Sequence, residues 1–295
     1  MRSGYVSIVG KPNVGKSTLL NVMLGEKLSI VTPKPQTTRN RITGILTTDE
    51  YQIIFLDTPG LLKPRYKLQE YMQEAVRGAV NDADVILYMI DVSRPPKERS
   101  ERDILRMLRE SNKVVILVMN KIDLVSKPML LPMIASYKDK MDFAEIVPIS
   151  ALKNDGVDIL IDVIVKYLPE GPQLYPGDQI SDMPLRFFVA ETIREKVFLL
   201  TKQEIPYASS VLIEEFKERE EGAATYIRAT IYVERESQKG IIIGRGGNML
   251  KKIGTEARRE IEAFLGSPLY LDLWVKVKEG WRRNPRDLRE LGYVP

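Results

Sequence analysis

The chain contains neither cysteine nor histidine among its 295 residues. Without cysteine there is no disulfide, no thiolate nucleophile and no cysteine-held zinc or iron–sulfur centre. Without histidine there is no imidazole general base, no Ser-His-Asp triad and no ordinary histidine metal site. Chemistry is left to carboxylates, lysine, hydroxyls, backbone amides and hard cations such as magnesium, which take oxygen ligands. No uninterrupted apolar run approaches the ~20 residues needed to cross a bilayer. The start, MRSGYVSIVG, offers no long apolar signal region, so a cytoplasmic protein is expected. There is no internal repeat and no low-complexity tract. The net charge of +4 is by itself a weak pointer to an acidic partner.

What is present organises into two halves, as the length predicts. Up to about residue 168, the apolar runs YVSIV, YQIIFL, DVILYMI, KVVILVM and AEIVPI read as buried strands, each followed by turn residues and a helical stretch. Such alternation predicts an α/β domain over residues 1–168, a mostly parallel sheet with helices on both faces. Ligands of such sheets bind beyond the carboxyl ends of the strands. Residues 169–184, PEGPQLYPGDQISDMP, carry four prolines and two glycines and read as a linker. Residues 185–295 then read as helix, strand, strand, helix, helix, strand, a smaller α+β domain with a basic C-terminal tail.

GKPNVGKS, Gly10 to Ser17, has the spacing G-x-x-x-x-G-K-[ST] directly after a strand and before the helix-like TLLNVML. Glycines there let backbone amides curl around phosphates at a helix N-terminus, where the helix dipole favours negative charge. Lys16 is placed to reach the β- and γ-phosphates and Ser17 to bind magnesium; Gly10, Asn13, Val14, Gly15 and Thr18 complete the loop. NKID, Asn120 to Asp123, follows the strand VVILVM and selects the base. Guanine presents two adjacent donors that one carboxylate accepts together, and adenine has no such pair. Asp123 is therefore the selector, Asn120 the brace, and the Lys121 stem can lie over the ring. In DTPG, Asp57 is expected to hold magnesium through water and the Gly60 amide to meet the γ-phosphate. QTTR, Gln36 to Arg39, suits a mobile loop, with Thr38 as the second hydroxyl on magnesium and Thr37 its close rival. Ser150, Ala151 and Leu152 are placed to offer amides to guanine O6. Lys16, Thr38 and Gly60 are the groups expected to act on the transferring phosphoryl, with Ser17, Thr38 and Asp57 around the metal.

These motifs, in this order, resemble the translation-factor-like GTPases over residues 1 to about 168. The glutamine that positions the attacking water in Ras-like members would fall at Leu61, which implies slow intrinsic turnover. A trans-acting group, a potassium ion or backbone contacts would substitute. Asn13 stands where related bacterial GTPases ligate potassium.

IIIGRGGNMLKKI, near the other end, puts Gly244, Gly246 and Gly247 between an apolar, strand-like run and a basic helix. Ile243-Gly244-Arg245-Gly246-Gly247, with Leu250 and Ile253 beyond, resembles the KH pattern, and the element order resembles its type II form. The G-x-x-G loop of that family clamps a single-stranded nucleic-acid backbone, and Arg245, Lys251 and Lys252 add charge beside its path. A glycine-rich helix start in an ordinary α+β domain, or a second dinucleotide loop, is the plainer alternative. One P-loop GTPase domain with PQTTR and DTPGL, a proline-rich segment and one C-terminal KH domain resembles the Era family over nearly the whole chain. The resemblance implies GTP/GDP and Mg2+ as ligands, with K+ a further candidate. It implies a monomeric assembly factor that binds the 3′ end of small-subunit rRNA on the small ribosomal subunit, and not DNA. Der-like assembly GTPases are the nearest rival, but they carry two tandem GTPase domains and this chain has one phosphate loop. The other alternative is a GTPase switch whose basic tail, Trp281 to Arg289, docks on a protein partner or peripherally on the inner face of the cell membrane.

Overall fold

Strands whose side chains are apolar on both sides must be covered on both faces. In the computed structural model, which describes residues 1–95, 98–218 and 224–293, those runs become the centre of a six-stranded sheet. Strands β1 (Arg2–Gly10), β2 (Ile42–Thr47), β3 (Tyr51–Asp57), β4 (Val85–Asp91), β5 (Val114–Asn120) and β6 (Glu145–Ile149) lie in the order β2-β3-β1-β4-β5-β6. All neighbouring pairs are parallel except β2 with β3. The antiparallel edge strand β2 was not among the expected strands: one glycine and two threonines interrupt its six residues. Helices α1 (Lys16–Leu24), α2 (Lys67–Asp82), α3 (Glu98–Glu110), α4 (Lys127–Lys138) and α5 (Val157–Tyr167) alternate with the strands, and β4 is buried along its whole length. The strand order turns back on itself at β1, between β3 and β4, which opens a crevice at the carboxyl ends of these strands.

The chain divides into two compact units. The first gathers Met1–Ser29, Thr38–Lys63 and Met72–Asp182; the second gathers Ile30–Thr37, Pro64–Tyr71 and Met183–Pro295. The segment 169–184 is therefore not a free linker over most of its length. Ser3 N–H donates to Pro169 O (3.0 Å), Ile45 N–H to Ile180 O (2.9 Å) and Ser181 Oγ to Thr43 O (2.5 Å). The buried Gln52 side chain of β3 holds its middle: Oε1 accepts from Leu174 N (2.7 Å) and Tyr175 N (2.9 Å), and Nε2 donates to Tyr175 O (2.8 Å). Proline and glycine exclude helix and sheet here, but the backbone groups they leave unpaired find partners on the first unit.

In the second unit, α6 (Leu185–Leu200), α7 (Ile205–Ala208), α8 (Glu236–Ile243), α9 (Asn248–Leu265) and α10 (Pro285–Glu290) accompany β7 (Ser210–Lys217), β8 (Thr225–Val233) and β9 (Leu269–Val277). The sheet runs β7-β8-β9, with β7 antiparallel and β9 parallel to β8. Alternate residues Ile227, Ala229, Ile231 and Val233 of β8 pack with Ile253, Ala257 and Ile261 of α9. The run read as strand-like before the glycines is the end of α8, since a short apolar stretch fits either a buried strand or a buried helix turn. The last two residues of the region 185–295 lie outside the described set.

Gln52→Ala leaves two N–H groups of the 169–184 segment without acceptors. Chymotrypsin cleavage at Leu174–Tyr175 is expected to accelerate by at least ~10-fold, because cleavage tracks the population of the opened segment. Timed digestion followed by mass spectrometry checks this.

Candidate nucleotide site and nucleic-acid interface

β1 ends at Gly10 and α1 starts at Lys16, so the turn between them presents the unpaired N–H groups of a helix N-terminus to the crevice. Gly15 takes φ +105°, and a Cβ there would lie 2.3 Å from Asn120 Nδ2. Lys16 is buried, its Nζ donating to Gly10 O (3.2 Å) and Lys11 O (3.1 Å). Burial pushes its pKa down to about 8, although the Asp57 charge pulls the other way. Val14 is buried and its carbonyl accepts from Asn120 Nδ2 (2.7 Å); Thr18 is half-buried in the first turn of α1.

Asp57, at the end of β3, is fully buried. Its Oδ2 accepts from Ser17 Oγ (2.7 Å) and Ser29 Oγ (3.0 Å), while Oδ1 is buried without a hydrogen-bond partner. Burial raises its pKa against the Lys16 charge and the two hydroxyls. Ser17 Oγ is also 2.9 Å from Thr38 Oγ1. Of the two threonines, Thr38 meets Ser17, whereas the Thr37 hydroxyl is bonded to Lys34 O (2.8 Å) and Thr32 Oγ1 (2.7 Å). Both threonines and Arg39 are buried, so this stretch is packed rather than exposed. Among the described residues no group of three His, Cys, Asp or Glu side chains forms a metal cluster. Two hydroxyls beside a carboxylate with one unpartnered oxygen suit a hard, oxygen-seeking cation such as Mg2+.

Gly60 is buried beside the loop, and the next residue, Leu61, donates its N–H to Gly10 O (3.0 Å). The Leu61 side chain packs against the apolar cluster that includes Val9 and Val76, so it has no polar group to offer a water molecule.

The base-side loops are braced on one another. Asn120 is buried, and besides bonding Val14 O its Oδ1 accepts from Ala151 N (2.9 Å). The Ala151 amide, expected to face guanine O6, is thus held by Asn120. Ser150 Oγ donates to Asp123 Oδ1 (2.6 Å), orienting the exposed carboxylate, and Leu152 is 75% exposed. Lys121, at φ +68°, donates from Nζ to Asn13 O (2.8 Å) and Asp91 Oδ2 (2.6 Å), so its stem spans from NKID to the phosphate loop. Asn13 itself is exposed, with φ +63°.

Three polar residues near this site belong to no motif. Asp91 anchors Lys121; although burial opposes it, hydrogen bonds from Lys121 and Ser93 hold its carboxyl below the usual range. Ser29 reaches Asp57, and Asn21 holds the backbone around Ser29. Asn21 had a sequence signal, a lone amide in the apolar TLLNVML; Ser29 had none.

In the second unit, the turn Arg245–Gly247 joins α8 to α9. Its glycines differ in kind. At Gly244, φ +73° and ψ 173° combine with a Cβ position 2.6 Å from Met249 Cβ, so the fold itself requires glycine. Gly246 and Gly247 also have positive φ, but a Cβ on either would meet nothing within 4 Å. Arg245, Lys251 and Lys252 are exposed and form no ion pair among the described residues, and Ile243 packs against the core. The C-terminal tail is not a free basic segment: Lys276 pairs with Glu214 (3.1 Å), Lys278 with Asp287 (3.1 Å) and Glu290 (2.8 Å), Arg286 with Glu290 (3.3 Å), and Arg282 with Glu234. Trp281 is fully buried, its Nε1 donating to Ala208 O (3.0 Å). No helix among the described residues is long and apolar enough to cross a membrane.

Residues 5–121 match the family model described as a 50S ribosome-binding GTPase, and residues 204–282 match the KH domain. The chain is 51% identical over 293 residues to GTPase Era of Geobacter metallireducens, covering 99% of this chain and 98% of that one. A crystal structure of a variant of Aquifex aeolicus Era bound to GDP and AlF4− is 47% identical, with a TM-score of 0.96 and full coverage of both chains. A structure of Era in complex with MgGDPNP and nucleotides 1506–1542 of 16S ribosomal RNA superposes with a TM-score of 0.97, also at 47% identity over both whole chains.

Asp123→Asn is expected to weaken GTP binding by roughly 10- to 100-fold, the worth of a hydrogen bond to a charged group. It should improve binding of xanthosine triphosphate, whose carbonyl accepts from the new amide; competition titrations compare the two. Gly246→Asp should leave GTP affinity within about twofold and abolish single-stranded RNA binding in a gel-shift: the side chain strains the backbone at φ +61° but meets no atom within 4 Å, and its carboxylate blocks and repels a phosphate backbone. Gly244→Ala should instead destabilise the second unit by about 1–3 kcal/mol. Tryptophan fluorescence in urea reads that loss, because Trp274 and Trp281 both lie in this unit.

Proposed function

Because the chain belongs to the Era family of GTPases, we propose that it is a switch that hydrolyses GTP to GDP and phosphate. In this reading its second unit holds the 3′-terminal region of 16S ribosomal RNA during assembly of the small subunit in the cytoplasm. The observation that carries the nucleotide half is the convergence of Ser17, Thr38 and the half-satisfied Asp57 beside the buried Lys16.

The residues divide the work. The loop amides from Asn13 to Thr18 cradle the phosphates at the start of α1, and Lys16 exchanges two backbone carbonyls for β- and γ-phosphate oxygens. Ser17 and Thr38 would hold Mg2+ by their hydroxyls and Asp57 through water. When bound, the cation neutralises charge between the β- and γ-phosphates. Thr38 and Gly60 lie on loops whose order depends on the γ-phosphate. Asp123, oriented by Ser150, accepts the two guanine donors, and Asn120 ties that loop to the phosphate loop. Leu61 supplies no group to orient the attacking water, which makes the intrinsic reaction slow; a potassium ion held by Asn13 would add charge there.

In the second unit, RNA is favoured over a lipid surface. The cations beside Gly246 are exposed and unpaired among the described residues, whereas Arg282 and Arg286 of the tail, and Lys276 and Lys278 before it, are paired with carboxylates. Residues 30–37 belong to this unit, where Val31 N–H donates to Glu195 Oε1 (3.0 Å) and Arg194 to Thr37 O. The next residue along the chain is Thr38, beside Ser17 in the first unit. Ordering of Thr38 by GTP therefore acts on a segment whose other end is tied to α6.

A non-hydrolysable GTP analogue is expected to tighten RNA binding relative to GDP by ~5- to 150-fold, and RNA must favour the analogue over GDP by the same factor. Titration of RNA into each nucleotide complex reads the first, and nucleotide competition on the RNA complex reads the second. Equal RNA affinities within about twofold would leave two independent modules.

A further inference from the structure

The two oxygens of a carboxylate are equivalent, so a cation site needs the plane of the group held fixed with one oxygen left free. At Asp57 both side-chain donors, Ser17 Oγ and Ser29 Oγ, fall on Oδ2, the Thr58 backbone adds a further hydrogen bond, and Oδ1 is left buried without a partner. Ser17 is a weak guarantee of this orientation, because its hydroxyl belongs to the cation site itself and also lies 2.9 Å from Thr38 Oγ1. Ser29 has no such second partner among the described hydrogen bonds; it is fully buried and its hydroxyl is aimed at Asp57.

The aim of that hydroxyl is set from α1. Asn21 accepts on Oδ1 from the Leu28 (3.0 Å) and Ser29 (2.9 Å) amides, and donates from Nδ2 to Ser29 O (2.7 Å). Both backbone groups of Ser29 are thus held by one side chain. Asn21 stands four residues beyond Ser17, on the same face of the helix. One helix face therefore acts on Asp57 twice, directly through Ser17 and indirectly through Asn21 and Ser29.

We propose that Ser29, held by Asn21, is a positioning residue of the cation site: its hydroxyl pins one Asp57 oxygen, which fixes the plane of the carboxylate and leaves the other oxygen free to accept from water on Mg2+. This rests on the reading of Asp57 as part of the Mg2+ site. Groups one step behind a metal's own ligands commonly change metal affinity by 10- to 100-fold when removed; Ser29 acts through Asp57, which itself acts through water, so the low end of that range is expected. Ser29→Ala removes only the hydroxyl and leaves the nucleotide contacts in place.

The test uses the full chain loaded with a fluorescent GDP, whose release is timed across a series of buffered free Mg2+ concentrations. For Ser29→Ala, the Mg2+ concentration that half-maximally slows release is expected to rise about 10-fold, while release in excess chelator stays within twofold of wild type. Asn21→Ala should shift the midpoint in the same direction. Asp57→Asn, measured alongside, should shift it at least as far. An Asp57→Asn shift with Ser29→Ala unchanged within twofold overturns the role of Ser29 and leaves the Asp57 reading standing. No shift in either overturns both. Faster release by Ser29→Ala at every Mg2+ concentration, chelator included, marks a general structural role and also overturns the proposal. A shift in Ser29→Ala with none in Asn21→Ala removes Asn21 from it.

Discussion

The Asp57 carboxylate and the Lys16 ammonium are both withdrawn from water, and each is met by neutral groups, two hydroxyls for the one and two backbone carbonyls for the other. Taking an ion out of water costs several kcal/mol unless hydrogen bonds or opposite charge offset it. The loops around the carboxyl ends of β1 and β3 are arranged to supply those hydrogen bonds: the turn at Gly15 closes on Asn120, and Ser29 is brought under Asp57. Yet the compensation is incomplete by one carboxylate oxygen. A phosphate brought to Lys16 and a cation brought to Asp57 complete each other's surroundings. Nucleotide and metal are therefore expected to bind as one unit.

The motif residues were legible because their chemistry is local. Phosphate recognition needs consecutive amides, glycine and lysine within one turn, and guanine recognition needs a carboxylate just past a strand end. Thr37 and Thr38 could not be separated in this way, since their chemistry is the same; hydrogen bonding to Lys34 and Thr32 on one side and to Ser17 on the other distinguishes them. Asn21 and Ser29 act through backbone geometry that no spacing rule encodes. That Asn120 holds the Ala151 amide is likewise invisible in the sequence, because the two residues lie on different loops.

The same limit hides contacts made over longer distances. Composition says that 169–184 is neither helix nor strand, but its anchor, Gln52, lies more than a hundred residues away in β3. Charge counting makes the C-terminal cations a basic tail, whereas the carboxylates that neutralise them come from residues 214, 234, 287 and 290. The glycines around Arg245 read as one class in the sequence. In the fold, Gly244 serves the chain's own backbone and Gly246 leaves open space.

β2 stands at the edge of the six-stranded sheet, with β3 on one side only. An exposed edge strand is a template for pairing with other chains, and proteins commonly cover or charge it. Here the cover is the 169–182 segment, which accepts from Ile45 N–H through Ile180 O and donates to Thr43 O through Ser181. Its prolines lack the N–H groups that would make the segment a new pairing edge in its turn. The stretch that looks most like a spacer thus shields an edge that would otherwise be open to pairing with another chain.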